Sequence, residues 1–388
     1  MNNIEEKVCL CALGRIFGFK PKTALTLINH YGSARAVFNM SEEELDLVLG
    51  PYSRYRSRIC KKALDDEYTE LIRLRQKGIH YIGITEEDYP HLLKECEDAP
   101  IGLYIRSESP VNELWNRHRS IGVVGTRDLS PYGRDWCERI IHALSTSNDK
   151  PTIVSGLALG TDICAHRNAI ETGLPTIGVM ATGPDSIYPS RNRVTAQQMS
   201  RTPGCALVTD FPPGTSPLAV NFLRRNRIIA GLSQATILIE SKIKGGGMMT
   251  ARLAFSYDRE VHALPGRADD LCSQGCNRLI REKVADPITS IEELLESLGM
   301  TTVKKKSEGG FKGKLHTLYS SSMEPSRIDI MLSILNSIGK ERGITLEEVA
   351  DRTGIRYHMA RNLCSMMETD GLIGIDLLQR CSIRTKNF

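Results

Sequence analysis

The spacing of apolar residues changes along the chain and divides it into regions. Up to about residue 100, apolar residues recur at helical intervals. Ser41 followed by Glu44 is typical of a capping box at a helix start, and residues 68–76 are predicted to form a further helix that ends before a glycine. The sequence therefore predicts a domain of short helices over residues 1–100.

Short apolar runs alternate with helical segments over residues 101–299. The runs are followed by Gly, Ser or a polar turn, and they begin at Ile121, Thr152, Thr176, Ala206 and Ala235. This alternation predicts an α/β fold, a Rossmann-like, doubly wound parallel sheet covered by helices. Ligands bind beyond the carboxyl ends of the strands in such sheets, so the residues that follow the strands are the candidates for function.

The remaining residues form two further regions. Residues 300–325 have the composition of a linker, with five Lys against two Glu, and a solvated tether is favoured about two to one over a nucleic-acid contact. Residues 326–388 show helix, helix, glycine turn, helix and hairpin, which predicts a winged-helix domain. This domain has nine Lys/Arg and eight Asp/Glu, so protein–protein contact is favoured at least as much as duplex binding.

Composition narrows the class of protein. The chain has 388 residues, 41% of them hydrophobic and 25% charged, which is enough for a sizeable core and predicts two to three domains. It contains no apolar stretch long enough to span a membrane and does not start like a secretory signal. Eleven scattered cysteines indicate reduced thiols in a cytoplasmic protein. The net charge of +4 decides little by itself.

Standard catalytic signatures are missing from the sequence. The glycine run 245–247 lacks the Lys-Ser/Thr of a phosphate loop, and neither a His-Glu-x2-His helix nor a Gly-x-Ser-x-Gly turn occurs. The cysteine pairs lack the second half of a zinc site. His166 has no partner of a catalytic or metal site in view and is interpreted as a structural hydrogen-bonding residue. We therefore predict no catalytic residue, no metal and no cofactor.

Two predicted strand ends carry residues suited to phosphate. Gly125 allows a close approach of the backbone, Thr126 offers a hydroxyl and Arg127 a guanidinium. After the next strand, the stretch 155–160 is a glycine-rich turn into a helix, whose N–H groups favour an anion. Each signal alone is weak, because many doubly wound folds need such glycines merely for a tight turn.

Three arginines within four positions precede an apolar helical run. Arg224 and Arg227 are three residues apart and share a helix face, whereas Arg225 points away and is either a surface charge or the partner of a carboxylate. A merely solvated helix end is expected in roughly one such case in three. Together with the two glycine turns, these cations favour several successive phosphates of a strand over a single nucleotide.

These segments also resemble a known family. Gly125-Thr-Arg127, Ser155-Gly-Leu-Ala158 with Gly160-x-Asp162, Tyr188-Pro189, Arg225-Asn-Arg-Ile-Ile-Ala-Gly-Leu-Ser233 and Pro265-Gly266 follow the order seen in the DprA (Smf) family of bacterial DNA-processing proteins. The resemblance covers nearly the whole chain. It implies a sterile-alpha-motif-like front domain, an extended Rossmann domain and a winged-helix end. It also implies a non-enzymatic protein that binds single-stranded DNA, protects incoming DNA during natural transformation and helps to load the RecA recombinase, usually as a homodimer through the Rossmann domain.

The resemblance further implies which residues contact DNA. They are Gly125, Thr126 and Arg127 in the first loop, Ser155, Gly156 and Gly160 in the second, Arg224, Asn226 and Arg227 in a basic pocket, and Arg191 and Lys244 as further basic contacts. The sequence departs from the family pattern in three places. Leu159 stands where many members have a basic or polar residue, Leu223 replaces the usual proline, and residues 245–249 replace a more serine-rich turn.

Two other functions compete with this interpretation. One is a nucleotide hydrolase on the related fold of the lysine-decarboxylase-like proteins, but Pro265-Gly266 is not followed by the Gly-x-Gly-Thr-x2-Glu loop on which that family depends. The other is a transcription regulator that acts through the last domain, against which the domain's near-neutral charge argues.

Overall fold

The computed structural model describes residues 2–115, 119–301, 311–320, 322–340, 343–376 and 378–384. The chain divides into two compact units, Met1–Val303 and Lys304–Phe388. No helix within the described ranges is long and apolar enough to cross a membrane.

The first unit begins with a group of helices. Their bounds are α1 (Asn2–Phe17), α2 (Pro21–Tyr31), α3 (Ala34–Phe38), α4 (Glu42–Leu49) and α5 (Lys61–Gln76). The predicted capping box starts α4: the Glu44 N–H donates to the Ser41 hydroxyl, and the Ser41 N–H donates to the Glu44 carboxylate. These bonds satisfy two N–H groups that a helix start otherwise leaves unpaired.

A nine-stranded sheet runs through the described part of the first unit. Its strands are β1 (Ile79–Gly83), β2 (Gly102–Arg106), β3 (Ser120–Val124), β4 (Thr152–Gly156), β5 (Thr176–Val179), β6 (Ala206–Thr209), β7 (Ala235–Leu238), β8 (Glu260–Ala263) and β9 (Asp286–Pro287). The order is β1-β2-β6-β5-β4-β3-β7-β8-β9. All neighbours from β6 to β9 are parallel, whereas β1 and β2 join as an antiparallel pair at one edge.

Helices connect the strands and cover the sheet. They are α6 (His91–Lys94), α7 (Pro131–Ser145), α8 (Thr161–Thr172), α9 (Arg193–Arg201), α10 (Ala219–Leu232), α11 (Gly246–Ser256), α12 (Gln274–Arg281) and α13 (Ile291–Ser297). Strand β3 packs on both faces, because Val124 belongs to one apolar core and Val123 to another. Burial on both faces explains the continuous apolar runs of the sequence. The fold is thus the predicted α/β fold with a large, mostly parallel sheet.

The structure differs from the predicted boundaries of the helical front domain. Strand β1 lies within residues 1–100 and pairs with β2, which is hydrogen-bonded to β6 of the main sheet. Leu10 and Leu13 of α1 belong to the same core as Ile228 of α10. The front helices therefore complete one face of the sheet, and the first unit has no boundary near residue 100.

The second unit contains α14 (Phe311–Tyr319), α15 (Pro325–Lys340), β10 (Ile344–Thr345), α16 (Leu346–Thr353), α17 (Tyr357–Thr369), β11 (Ile373–Ile375) and β12 (Arg380–Ile383). Its strands form a sheet of order β10-β12-β11. This order of elements agrees with the pattern of residues 326–388, and their assignment as a winged helix stays a prediction.

The predicted linker is in part a helix. Residues 311–319 form α14, and Leu315 and Tyr319 are buried in the core of the second unit. Residues 302–310, which carry Lys304, Lys305 and Lys306 of the predicted tether, lie outside the described residues. The composition was misleading because two buried apolar side chains in one face suffice to dock a short helix on an existing core.

Candidate functional site

A cleft of about 720 Å³ opens at the carboxyl ends of β3 and β7. Strands β4 to β6 follow β3 on one side of the sheet, and β7 to β9 lie on the other. The connections leaving β3 and β7 therefore diverge, which is the topological position where open parallel sheets bind ligands. The cleft is lined by the loops after these two strands and by α10 and α11.

The loop after β3 supplies a cation without an internal partner. A Cβ atom on Gly125 would collide with the side chain of Thr161, so only glycine fits where this loop approaches α8. Arg127 is exposed, and its guanidinium lies 5.1 Å from the centroid of the Phe222 ring, a cation–π contact. No carboxylate of the described residues lies within 4.0 Å of it. Arg127 is thus available to an anion in the cleft.

The loop after β7 supplies two more cations and a helix N-terminus. Lys242 and Lys244 are exposed and line the cleft. Helix α11 begins directly after them at Gly246, and no side chain caps its first N–H groups. The orphan N–H groups of a helix start and its dipole both favour an anion. Lys242 and these amides were not among the predicted site residues; the glycine run 245–247 before an apolar helix was the available signal.

Of the second predicted loop, Ala158 lines the cleft, and so does Asp162 in the first turn of the following helix α8. Ser155 is buried and donates its hydroxyl to the carbonyl of Val123 (2.5 Å). Gly156 is also buried, and Gly160 has a φ of 77° at the start of α8. Asp162 accepts a hydrogen bond from the N–H of Ala158 (3.3 Å). A carboxylate of this chain therefore occupies the place that the sequence assigned to a phosphate.

The start of α7 is occupied in the same way. Buried Glu240, which follows β7, accepts hydrogen bonds from the N–H and the hydroxyl of Ser130 (3.0 and 2.5 Å). The Ser130 hydroxyl in turn accepts from the N–H of Gly133. The starts of α7 and α8 thus hold internal carboxylates, whereas the starts of α10 and α11, which line the cleft, have no side-chain cap.

Arg225 forms the floor of the cleft and is paired with a carboxylate, one of the two alternatives left open by the sequence. It donates to the carbonyl of Val179 (2.6 Å), and its Nη2 atom lies 4.0 Å from Oδ2 of Asp162. Burial lowers the pKa of Arg225 and raises that of Asp162, while the attraction between them opposes both shifts. The floor is close to neutral, and the open charges lie at the rim.

The structure does not bring Arg224 and Arg227 into the cleft. Both donate to the same buried oxygen, Oδ2 of Asp210, at 2.8 and 2.5 Å. The guanidinium of Arg224 also lies 4.6 Å from the ring centroid of Phe19 and 5.1 Å from that of Phe211. The two arginines therefore connect α10 to Asp210 and to the helical front, and they line a separate cavity of about 550 Å³ beside the cleft.

The helical period explains this correction. One face of α10 carries Phe222, Arg225, Asn226 and Ile229, which line the cleft, and the next face carries Arg224 and Arg227. The prediction that the two arginines share a face is confirmed, but that face turns to Asp210. The two arginines therefore line the neighbouring cavity and not the cleft of the glycine loops, and their role in DNA binding stays a prediction.

The remaining predicted residues divide between the cleft and the surface. Asn226 lines the cleft and donates to the carbonyl of Gly246 (3.4 Å), which connects α10 to the start of α11. Arg191 is exposed but does not line the cleft. The structure thus brings together Gly125, Thr126, Arg127, Asn226 and Lys244, and leaves Ser155, Gly156, Gly160, Arg191, Arg224 and Arg227 outside the cleft.

An aromatic pair stands at the mouth of the cleft. Tyr188 is 47% exposed, and its ring meets that of Phe222 edge to face, with the centroids 5.7 Å apart. Because Arg127 lies against the same Phe222 ring, an open aromatic face adjoins an open cation. Tyr188 belongs to the motif Tyr188-Pro189 but was not among the predicted site residues.

His166 is a structural hydrogen-bonding residue, as predicted. It is buried, and its ring nitrogens contact the Thr176 hydroxyl (2.7 Å) and the Gly156 carbonyl (2.6 Å). Burial lowers the pKa of His166 from 6.5 to about 4. Between these values the unfolded chain binds a proton here that the folded chain does not. Stability is therefore lost as the pH falls from about 6.5 towards about 4.

We expect His166 to account for a measurable part of the stability that the protein loses in acid. A difference of about 2.5 in pKa corresponds to roughly 3 kcal/mol. Between pH 7 and pH 4, the free energy of unfolding of the natural chain should fall by roughly that amount more than that of His166→Gln, measured by urea denaturation. His80→Gln, which changes an exposed histidine, should retain the natural pH dependence. Equal pH dependence of all three proteins would contradict the assignment.

Comparison with known proteins identifies the family. The family model "DNA recombination-mediator protein A" matches residues 80–299. Protein Smf of Escherichia coli is 35% identical over 293 residues, which cover 74% of this chain and 72% of that protein. Protein Smf of Synechocystis is 37% identical over 225 residues, which are 58% of this chain and 55% of that relative's length.

Solved structures agree with this result. The structure of DNA processing protein A from Streptococcus pneumoniae has a TM-score of 0.60 and 28% identity, and the match covers 73% of this chain and 95% of that one. A structure of the Helicobacter pylori protein, described for its single-stranded DNA binding mode, has a TM-score of 0.50, 30% identity and coverages of 56% and 95%. On the match of more than half its length, the chain belongs to the DNA recombination-mediator protein A family, which includes proteins named DprA and Smf.

Proposed function

We propose that this chain binds single-stranded DNA by its backbone phosphates in the cleft between β3 and β7. The observation that carries the proposal is the set of open cations, Arg127, Lys242 and Lys244, around the uncapped start of α11. Guanidinium, ammonium and free amide groups are the donors that phosphates accept from. They lie on two separate loops, which suits successive phosphates of a strand better than one compact nucleotide.

The aromatic pair favours a single strand over a duplex. An exposed ring beside cations can stack on an unpaired base, and such stacking tolerates any base sequence. The bases of a duplex are already stacked and paired, so Tyr188 has no access to their faces. The binding mode described for the Helicobacter pylori relative concerns single-stranded DNA and supports the same choice.

We also propose a cellular role, which membership of the family supports. As a recombination mediator of the DprA type, the chain protects incoming single strands in the cytoplasm, helps to load RecA on them, and acts as a homodimer through the Rossmann domain without a catalytic step. The free state of all eleven cysteines is consistent with a reducing compartment. Binding by charge and stacking alone suits a protein that must pass its strand to another one.

Removing the ring of Tyr188 tests the proposal at the cleft. We expect Tyr188→Ala to weaken the binding of fluorescent oligothymidylate by about 10-fold, because stacking on one base contributes about 1–3 kcal/mol. Tyr188→Phe should bind as tightly as the natural chain, because it keeps the ring. The measurement is fluorescence anisotropy at fixed salt.

An oligonucleotide with abasic positions separates stacking from a general loss of structure. The natural chain should bind it more weakly than oligothymidylate, and Tyr188→Ala should bind both alike. If Tyr188→Ala still distinguished the two ligands as the natural chain does, bases would not stack on this ring. If the natural chain bound no oligonucleotide at low salt, the proposed function itself would fail.

A further inference from the structure

One face of α17 in the second unit is open, polar and basic. Its exposed residues are Arg356 at the N-cap and, on the helix, Tyr357, His358, Arg361, Asn362, Ser365, Met366 and Thr369. Their spacing of one, three and four residues puts them on one side of the helix. The opposite side is buried in the core of the unit through Ala360, Leu363, Cys364 and Met367. The helix thus presents a mainly polar face to solvent, with Met366 as an exposed apolar residue in its C-terminal half.

The near-neutral composition of the C-terminal segment hides a segregation of charge. Three of the eight acidic residues of this segment, Glu347, Glu348 and Asp351, lie on α16, beside one cation, Arg352. On α17 the acidic residue is Glu368, which lies in the last turn and accepts a hydrogen bond from the N–H of Ile375. Within the described ranges, no carboxylate lies within 4.0 Å of the guanidinium of Arg356 or Arg361. The open face therefore has positive potential.

Helix α17 is the second helix of a helix-turn-helix arrangement, the position from which a helix can enter a groove of DNA. Helices α16 and α17 pack together and are joined by the short turn 354–356, in which Gly354 has a φ of 68°. Two helices joined by a turn of three to four residues form a helix-turn-helix, whose second helix can enter the major groove of DNA by its N-terminal residues. Here those residues are Arg356, Tyr357 and His358, one turn before Arg361.

We propose that the second unit binds duplex DNA, with the N-terminal half of α17 in the major groove. Arginine and asparagine side chains match the base edges displayed there, and arginine also pairs with the flanking phosphates. This activity is distinct from strand binding in the cleft and does not depend on it. A protein with both sites can hold a single strand and a duplex at once.

The double variant Arg356→Ala/Arg361→Ala tests this site in the full chain. We expect its affinity for a short fluorescent duplex to fall by at least 10-fold at about 0.1 M salt, with a shallower dependence on salt, because the logarithmic slope decreases by about 0.9 for each phosphate that the protein no longer neutralises. Unlabelled oligothymidylate is kept in excess so that the cleft is occupied. Binding of labelled oligothymidylate alone should not change.

Arg327→Ala/Lys340→Ala is the matched control, because it removes two exposed cations of the same unit from α15. It should bind duplex within about twofold of the natural chain, since neither side chain lies on the face of α17 that enters the groove. The proposal is overturned if both double variants bind duplex alike. It is also overturned if the natural chain binds no duplex even at low salt, which would leave an acidic protein surface as the partner of this face. If variants of the cleft lose the binding of single-stranded DNA, that result tests the proposed function and not the duplex site on α17.

Discussion

Replacing Arg127 by glutamate is expected to weaken the binding of oligothymidylate by about 10- to 100-fold at about 0.1 M salt, because it turns an open cation at the cleft into an anion. Arg127 has no internal carboxylate partner among the described residues, so no rearrangement within the chain restores the missing charge. The slope of the logarithm of the binding constant against the logarithm of the salt concentration should become shallower by about 0.7 for each phosphate that the cleft no longer neutralises. Both quantities come from anisotropy titrations at several salt concentrations.

Arg201→Glu is a control of equal charge change. Arg201 is exposed at the end of α9 and does not line the cleft. We expect its affinity to change by no more than about threefold, because long-range charge effects are screened at this ionic strength. If the two variants lost affinity equally, binding would follow net charge only, and the cleft would have no special role.

Replacing Asp210 by asparagine is expected to cost about 3–5 kcal/mol of folding free energy, because it leaves the buried guanidinium of Arg227 and the half-buried one of Arg224 without their carboxylate. Arg224 and Arg227 both depend on Asp210, and Arg227 also donates to the backbone carbonyl of Asp98. The loss is measured as the change in the free energy of unfolding in urea. Thermal unfolding should shift in the same direction.

Asp269→Asn is the matched control for this substitution. Asp269 forms an ion pair with Arg267, but both side chains are largely exposed, so we expect no measurable change in stability. A stable Asp210→Asn protein would show that the two arginines do not need this carboxylate. If it also bound oligothymidylate more tightly, Arg224 and Arg227 would be DNA ligands after all, as the family resemblance implied.

The main sheet was predictable because its strands are buried on both faces. Runs such as residues 121–124 and 235–239 are continuously apolar and end in polar turns, a pattern that is typical of the inner strands of a parallel sheet. The antiparallel pair β1 and β2 was not predictable in this way. Residues 79–83 are short and alternate His80 with apolar neighbours, and their strand conformation depends on pairing with β2 and on the core under α1.

At the site, the sequence indicated where along the chain the cationic side chains lie, but not the direction in which each side chain points. Arg127 was predicted because it follows a recognisable strand, and the structure places it in the cleft. The shared face of Arg224 and Arg227 was also predictable from their spacing. Its direction depends on Asp210, which lies 14 residues before Arg224 and directly after β6. No local pattern indicates which of two neighbouring faces a distant carboxylate will hold.

The carboxylates of Asp162 and Glu240 have a consequence for any polymer bound beside them. They disfavour further negative charge at the starts of α7 and α8, so we expect a strand to lie along the rim of the cleft, where Arg127, Lys242 and Lys244 are open. A ligand held in this shallow way keeps much of its length accessible from solvent. A second protein could then bind the exposed side of the strand before the strand dissociates from this chain. Such a transfer of the strand would need no unfolding or opening of the sheet.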